Sequence, residues 1–192
     1  MTSSRRRFLL GSASLATAGA ALAVARAAPG AAPGAAPKTS KAAETPHPPG
    51  TTQADVNEAR YATSPFRRMS EAQWRARLTP QAFATLRQED TERAGTSPLE
   101  DEHRRGTFVC AGCDLALFRS QEKYASGSGW PSFWRSIHGS LATKQDFVIG
   151  YPRTEYHCAR CLGHQGHIFT DGPQPTGLRY CNNGVALRFA PA

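Results

Sequence analysis

The chain has little of three things: strongly hydrophobic segments, clustered positive charge and cysteine. Its longest uncharged run, from Phe8 to Ala25, consists largely of Ala, Gly and Ser, and is less hydrophobic than the ~20-residue segment of a membrane-spanning helix. The formal net charge is +8, but the basic residues form no stripe, so the charge does not indicate a nucleic-acid partner. The five cysteines are an odd number, so at least one thiol has no partner within the chain.

Residues 1–27 resemble a twin-arginine export signal. The string from Ser4 to Leu10 reads Ser-Arg-Arg-Arg-Phe-Leu-Leu and lacks only the usual final Lys, while Ala25-Arg26-Ala27 matches a small-x-small cleavage site. We therefore expect cleavage after Ala27 and a mature protein that is periplasmic or otherwise extracytoplasmic, with no stable association with the membrane. An uncleaved single-span anchor is the alternative.

Residues 28–56 are rich in Pro and Ala, a composition that cannot bury a core, and they are predicted to form a semi-extended linker. Residues 57–192 are long enough for one domain with a hydrophobic core, and we expect a monomer. Loss of residues 1–27 removes four arginines and no acidic residue, which leaves 19 basic against 15 acidic residues and a charge of +4.

Short helices followed by short strands are predicted within this domain. Ser70 and Gln73 suit a capping box, and Thr79-Pro80 supplies an N-cap and the first residue of the next helix. Strand character occurs at residues 108–110, 117–118, 147–149 and 155–158, and in the alternation of Val185, Leu187 and Phe189. The pattern predicts a mainly β domain with antiparallel sheets and short N-terminal helices.

Four of the cysteines form two C-x-x-C pairs, a spacing typical of a single structural zinc site. The predicted ligands of one Zn²⁺ are Cys110, Cys113, Cys158 and Cys161. Two disulfides are an alternative in an oxidising compartment, and a redox dithiol is another, although neither pair lies in the βαβ setting of such a motif. Because the twin-arginine route carries folded proteins, zinc bound before export would be retained.

The fifth cysteine, Cys181, then has no structural role and is a candidate nucleophile, with His164 and His167 nearby in sequence. The histidines suit acid–base or hydrogen-bonding roles, and Asp171 is predicted to orient one of them. Trp130 lies in a loop with glycines on both sides of Ser128. Spacing alone does not decide whether this Trp is a binding wall or part of the core.

Several blocks in series resemble the methionine-R-sulfoxide reductases of the B type, over about residues 65–190. The blocks are Gly129-Trp-Pro-Ser-Phe133, Cys158-Ala-Arg-Cys161, Gly163-His-Gln-Gly-His-Ile-Phe169, Asp171-Gly-Pro173 and Arg179-Tyr-Cys-Asn-Asn183. The resemblance implies a zinc-stapled β fold that reduces the R epimer of methionine sulfoxide. It makes Cys181 the nucleophile, places Trp130 against the sulfoxide methyl group, and places His164, His167 and Asn183 around the sulfoxide. Phe133, Phe169 and Arg179 complete the predicted substrate-binding set.

In this chemistry a thiolate attacks the sulfoxide sulfur, an acid supplies a proton, and a cysteine sulfenic acid remains. We predict His167 as the proton donor, oriented by Asp171, with His164 and Glu155 as the next candidates. Many members carry a resolving Cys where this chain has Ser128, so an external thiol, small or thioredoxin-like, is predicted to recycle Cys181. The chain also has Gln165 for a usual Leu and Gly184 for a common Ser.

Two other classes of protein explain part of the sequence. A non-catalytic zinc module that binds protein or nucleic acid accounts for the four paired cysteines, but not for Cys181, Trp130 or the histidines. A thiol–disulfide oxidoreductase would use one C-x-x-C pair without metal. The predicted partners remain oxidised exported proteins or peptides that contain methionine sulfoxide, and a thiol reductant.

Overall fold

The computed structural model describes residues 53–192, so the predicted signal peptide and most of the predicted linker lie outside the described residues. Helix α1 begins at Gln53, inside the segment 28–56 that was assigned to the linker. The side chain of Asn57 donates a hydrogen bond of 2.7 Å to the carbonyl oxygen of Leu141 and fixes this helix to the domain. The helices are α1 (Gln53–Ala59), α2 (Glu71–Arg77) and α3 (Pro80–Gln88).

The predicted helix starts are confirmed. Ser70 and Gln73 form a complete capping box at α2, and Thr79 caps α3 by accepting a hydrogen bond from the backbone N–H of Ala82. Their inward-facing residues, Trp74, Phe83 and Leu86, are buried. Among residues 53–192 no helix has the length and apolarity that crossing a membrane requires.

Two antiparallel sheets follow the helices. Within residues 53–192 the strands are β1 (Gly106–Cys110), β2 (Ala116–Arg119), β3 (Lys123–Tyr124), β4 (Ser132–Phe133), β5 (Leu141–Asp146), β6 (Arg153–Cys158), β7 (His164–Phe169), β8 (Arg179–Asn182) and β9 (Leu187–Pro191). The smaller sheet has the order β2-β1-β9 and the larger β3-β4-β8-β7-β6-β5, with every pairing antiparallel. The predicted mainly β class with short N-terminal helices is confirmed.

Two strand predictions need correction. Residues 147–149 are not a strand: β5 and β6 pair from Leu141↔Cys158 to Asp146↔Arg153, so the apolar residues after Asp146 fall in the turn between them. At the C-terminal end the strand starts at Leu187, because Val185 belongs to a 3₁₀ turn, Gly184–Ala186.

An aromatic core holds the two sheets together. Phe118 of β2 stacks on Phe133 of β4 with ring centroids 4.1 Å apart, and Phe108 of β1 meets Phe133 edge-on at 4.9 Å. Tyr156 and Tyr180 from the larger sheet pack against Phe118. Burying such rings contributes stability mainly by removing apolar area from water, and it makes a rigid platform under β8.

Candidate active site

Four cysteine sulfurs meet where the two C-x-x-C turns come together. One turn follows β1 of the smaller sheet and the other follows β6 of the larger, and all four Sγ atoms lie within 4.8 Å of one another. The Sγ atoms of Cys110 and Cys161 are 3.6 Å apart, and those of Cys113 and Cys158 are 3.5 Å apart. Sulfurs bound to one tetrahedral zinc lie about 3.8 Å apart, whereas a disulfide needs about 2.05 Å. The cluster can therefore hold one metal ion, and the described cysteines form no disulfide.

Gln165 connects this cluster to strand β8. Its side-chain Nε2 donates to Cys110 Sγ at 3.5 Å, and its Oε1 accepts a hydrogen bond of 3.4 Å from Asn182. The side chain is fully buried. The replacement of the usual Leu by Gln165 thus adds a hydrogen bond to one cluster sulfur.

Cys181 lies on β8, between β4 and β7. Its direct neighbours are Ser132 on one side and His167 on the other. Residues paired in this way have Cβ atoms about 4.5–5.5 Å apart and share one face of the sheet. Gly166 permits the close approach of β7, because a Cβ at this position would collide with the carbonyl oxygen of Cys181. The pairing brings together a thiol and an imidazole that sequence spacing alone could not place.

A cavity of about 110 Å³ opens at Cys181. Its lining comes from five predicted residues and three that sequence analysis missed: Trp130, His167, Phe169, Cys181 and Asn183, and then Thr91, Arg153 and Gly166. Thr91 lies in a polar loop after α3 and Arg153 starts β6, so neither carried a sequence signal. The volume is small beside the about 300–1,000 Å³ of a typical small-molecule pocket, and it suits a single side chain.

Trp130 forms a wall of this cavity rather than part of the core. Gly129 adopts φ +85°, and a Cβ there would lie 2.9 Å from Ala94 Cβ, so a glycine is needed for the loop to turn. The indole Nε1 donates a hydrogen bond of 3.2 Å to the carbonyl oxygen of Glu92. This hydrogen bond fixes the orientation of the ring, which lines the cavity.

A hydrogen bond joins Asn183 to Glu92 close to Cys181. Asn183 Oδ1 accepts from the backbone N–H of Glu92 at 3.0 Å, and its Nδ2 donates to the carbonyl oxygen of Gln165 at 3.1 Å. The Glu92 carboxylate accepts the backbone N–H groups of Gly184 and Val185. Burial raises the pKa of Glu92 although these two N–H groups oppose the shift. Glu92, which sequence analysis missed, fixes the chain directly after Cys181.

The predicted partner of His167 is wrong. His167 Nε2 lies 2.7 Å from Asp146 Oδ2 at the end of β5, whereas Asp171 accepts two hydrogen bonds of 2.8 and 2.9 Å from Arg179. Strand register, not closeness in sequence, selects the carboxylate. Burial lowers the pKa of His167, and the hydrogen bond to Asp146 opposes this shift. Asp146 itself, which accepts hydrogen bonds from Val148 N, His167 and Arg153, has a pKa well below its usual value.

His164 and Phe133 do not line the cavity. His164 is buried, with Nδ1 2.9 Å from Glu155 Oε1 and its ring centroid 5.5 Å from that of His167. Its contact with the reacting atoms is therefore indirect. The prediction that Phe133 binds substrate is wrong: its ring is fully buried in the aromatic core, because in β4 it is Ser132 that lies opposite Cys181.

Arg179 and Ser128 lie near the Cys181 sulfur, and Ser128 is joined to two further serines. The Arg179 guanidinium lies 4.2 Å above the ring of Phe169, which lines the cavity. Ser128 Oγ is 3.8 Å from Cys181 Sγ. The Oγ atom of Ser126 lies 2.8 Å from Ser128 Oγ and 2.7 Å from Ser132 Oγ.

Burial raises the pKa of the Cys181 thiol, and Ser128 and Arg179 oppose the shift. Of the five cysteines, all within residues 53–192, four are buried in the cluster and Cys181 alone faces a cavity. Fold and site together define a thiol-dependent enzyme.

Comparison with known proteins gives the family. The SelR domain matches residues 78–191, more than half of the chain. A peptide methionine sulfoxide reductase MsrB of Bradyrhizobium diazoefficiens is 50% identical over 123 residues, which are 64% of this chain and 88% of that protein. The MsrB of Agrobacterium fabrum is 45% identical over 130 residues, which are 67% of this chain and 96% of that protein. The chloroplastic peptide methionine sulfoxide reductase B1 of Arabidopsis thaliana is 42% identical over 145 residues, which are 75% of this chain and 68% of that protein. The chain belongs to the SelR-domain family.

Proposed function

We propose that this protein reduces the R epimer of methionine sulfoxide in proteins or peptides to methionine, with Cys181 as the nucleophile. The observation that carries the proposal is a thiol outside the metal cluster, in a one-side-chain cavity walled by Trp130 and His167. The relatives named as peptide methionine sulfoxide reductases support it. Turnover of separated R and S epimers with a dithiol tests it, and equal rates for both epimers, or none for either, contradict it.

The reaction balances with the groups present. The Cys181 thiolate attacks the sulfoxide sulfur, a proton reaches the sulfoxide oxygen, and that oxygen is transferred as methionine leaves. The S–O bond of the sulfoxide breaks and Cys181 becomes a sulfenic acid, having given up the two electrons that reduce the sulfoxide. Trp130 and Phe169 offer an apolar surface to the methyl group, and Arg179 stabilises negative charge at the sulfur. Asn183, held by Glu92, borders the reacting atoms.

We further propose that the cluster of Cys110, Cys113, Cys158 and Cys161 binds one structural Zn²⁺. Four sulfurs complete a tetrahedron and leave no open position for a substrate. When bound, the ion would supply folding energy by joining the two C-x-x-C turns. The near-tetrahedral sulfur separations and the donor to Cys110 Sγ from Gln165 support this assignment.

We assign the proton donor to His167 and its orientation to Asp146. The pKa of His167 lies below its ordinary value and that of Cys181 above its own, so His167 loses its proton first. Protonated His167 with thiolate Cys181 is then a minor form at neutral pH. In Asp146→Asn the pKa of His167 should fall further, which makes this form rarer. Each tenfold drop in the proton affinity of His167 should lower kcat/KM at pH 7 about tenfold, and the lower apparent pKa of the pH–rate profile should fall correspondingly.

Asp171→Asn is the matched control, since it removes a carboxylate that pairs with Arg179 instead. Because the Asp171 charge raises the pKa of Cys181, this variant should move only the upper apparent pKa. An unchanged lower apparent pKa in Asp146→Asn would assign the proton to another group, with His164 and Glu155 tested next.

Recycling of Cys181 is expected to need an external thiol, because Ser128 stands where a resolving Cys would be. Sulfoxide added without reductant should yield about one methionine per chain, and a sulfenic-acid probe should label residue 181. In Ser128→Cys the labelling should be lost to a disulfide, since the two side-chain atoms already lie 3.8 Å apart. Ser128→Ala should keep the label. A native disulfide between Cys181 and a cluster cysteine, with continued turnover, would contradict this scheme.

We also propose that residues 1–27 direct export of the folded protein by the twin-arginine route, so that it repairs oxidised extracytoplasmic proteins. The three arginines before Phe8 and the Ala25-Arg26-Ala27 site support this. Fractionation of cells tests it. Replacing Arg5 and Arg6 by Lys should retain full-length protein in the cytoplasm, and an unchanged distribution would reject the proposal.

A further inference from the structure

The turn between β5 and β6 is an exposed apolar surface. Among residues 53–192 there are five exposed large hydrophobic side chains, and four of them lie here: Phe147 (64% exposed), Val148 (85%), Ile149 (48%) and Tyr151 (57%). We call residues 147–151 the apolar tip. Exposed apolar residues scattered one by one are ordinary, whereas a contiguous set marks an interaction site. The tip contains no charged side chain, so it favours an apolar partner.

Hydrogen bonds at its base hold the tip in shape. Asp146 Oδ1 accepts the backbone N–H of Val148 at 2.8 Å, and Asp146 Oδ2 accepts from Arg153 across the mouth of the turn. Within the tip the N–H of Gly150 donates to the carbonyl oxygen of Phe147 at 3.0 Å. The apolar side chains are thus presented on a closed turn.

The tip is continuous with the candidate active site. It starts one residue after Asp146, whose Oδ2 also contacts His167 Nε2 at 2.7 Å. It ends two residues before Arg153, which lines the cavity together with Cys181. The base of the tip therefore lies at the edge of the cavity.

We propose that the apolar tip binds the apolar residues that flank a methionine sulfoxide in a non-native polypeptide. This rests on the proposed function. The cavity, at about 110 Å³, holds one side chain, so the neighbours of the sulfoxide must lie on the surrounding surface. Methionine is mostly buried among apolar residues, and its oxidation disrupts the core around it. The segments that need repair therefore carry apolar neighbours.

The test compares three substrates in the wild type and in the triple variant Phe147→Ser, Val148→Ser, Ile149→Ser. They are N-acetylmethionine sulfoxide, a peptide with Leu and Val flanking the sulfoxide, and the same peptide with Gly and Ser flanks. The variant should lose at least about tenfold in kcat/KM on the apolar peptide, since burial of one apolar side chain is worth that much in affinity. Its kcat/KM for the other two substrates should be unchanged.

Leu162→Ser is the matched control, because Leu162 is the fifth exposed large hydrophobic residue and lies outside the tip. It should change none of the three rates. Equal losses on all three substrates in the triple variant, or no loss on the apolar peptide, would overturn the proposal. So would unchanged peptide kinetics together with loss of self-association or of binding to phosphatidylcholine vesicles, which would assign the tip to a second copy or to a membrane. A wild type inactive on all three substrates would instead refute the proposed function.

Discussion

Cys181→Ser is expected to abolish reduction of methionine sulfoxide and to leave the fold intact. The serine hydroxyl is a far weaker nucleophile, and removal of a nucleophile costs roughly 10⁴-fold or more in kcat. The substitution keeps the size of the side chain, which faces the cavity and makes no cluster contact, so stability should change little. Assays of turnover, melting temperature and metal content measure this. Turnover should stop, while the melting temperature and the metal content should be unchanged.

Ser128→Ala serves as the control for changes at the sulfur that spare the nucleophile. It removes a hydroxyl 3.8 Å from Cys181 Sγ and should raise the pKa of the thiol, so turnover falls only modestly and the upper apparent pKa of the pH–rate profile rises. Turnover in Cys181→Ser at more than about a thousandth of the wild-type rate would place the chemistry on another residue.

The second large effect is expected at the metal cluster. Cys158→Ser should lose the bound metal and unfold most of the domain at room temperature. Binding of a structural zinc is worth about 10–16 kcal/mol of folding free energy, which is as large as the whole stability of a typical domain, about 5–15 kcal/mol. Metal analysis and thermal unfolding followed by circular dichroism measure it. Here Cys181→Ser is itself the matched control, since it makes the same atomic change at a cysteine outside the cluster.

The two substitutions should therefore have opposite signatures. One removes activity from a folded, metal-containing protein, and the other removes the fold. A soluble Cys158→Ser variant with a wild-type melting temperature, or a wild-type protein that is active without metal, would show that the cluster has no structural ion.

Local sequence signals predicted the start of the domain well. Ser70, Gln73 and Thr79 cap helices through residues three positions away, so their role is readable along the chain. Strands β7 and β8, which carry His167 and Cys181, were not predicted. β7 begins with three consecutive buried residues, His164, Gln165 and Gly166, which is neither an alternating pattern nor an apolar run. The hydrophobic residues 147–149 were wrongly given to a strand because their exposure depends on where β5 and β6 pair.

The hydrogen-bond partners of the site residues could not be predicted from the sequence either. The sequence offered Asp171, four residues from His167, but the structure uses Asp146, which the β5–β6–β7 register brings from 21 residues away. Glu92 is more distant still from Asn183 and carried no motif. Trp130 and Asn183 were found because the resemblance gave them roles, and Phe133 was misassigned because a motif does not say which face of a strand is buried.

The unequal exposure of the five sulfur atoms has a consequence for a protein whose proposed substrates are made by oxidants. Peroxide or hypochlorous acid arriving from solution can reach the Cys181 sulfur, whereas the other four sulfurs are buried in the core. The hydrogen bond from the Gln165 amide also lowers the nucleophilicity of the Cys110 sulfur. Oxidation therefore falls mainly on the Cys181 sulfur, and the proposed catalytic cycle reduces the sulfenic acid of this residue at every turnover. The scaffold that holds the domain together is shielded from the reagent that creates its substrates.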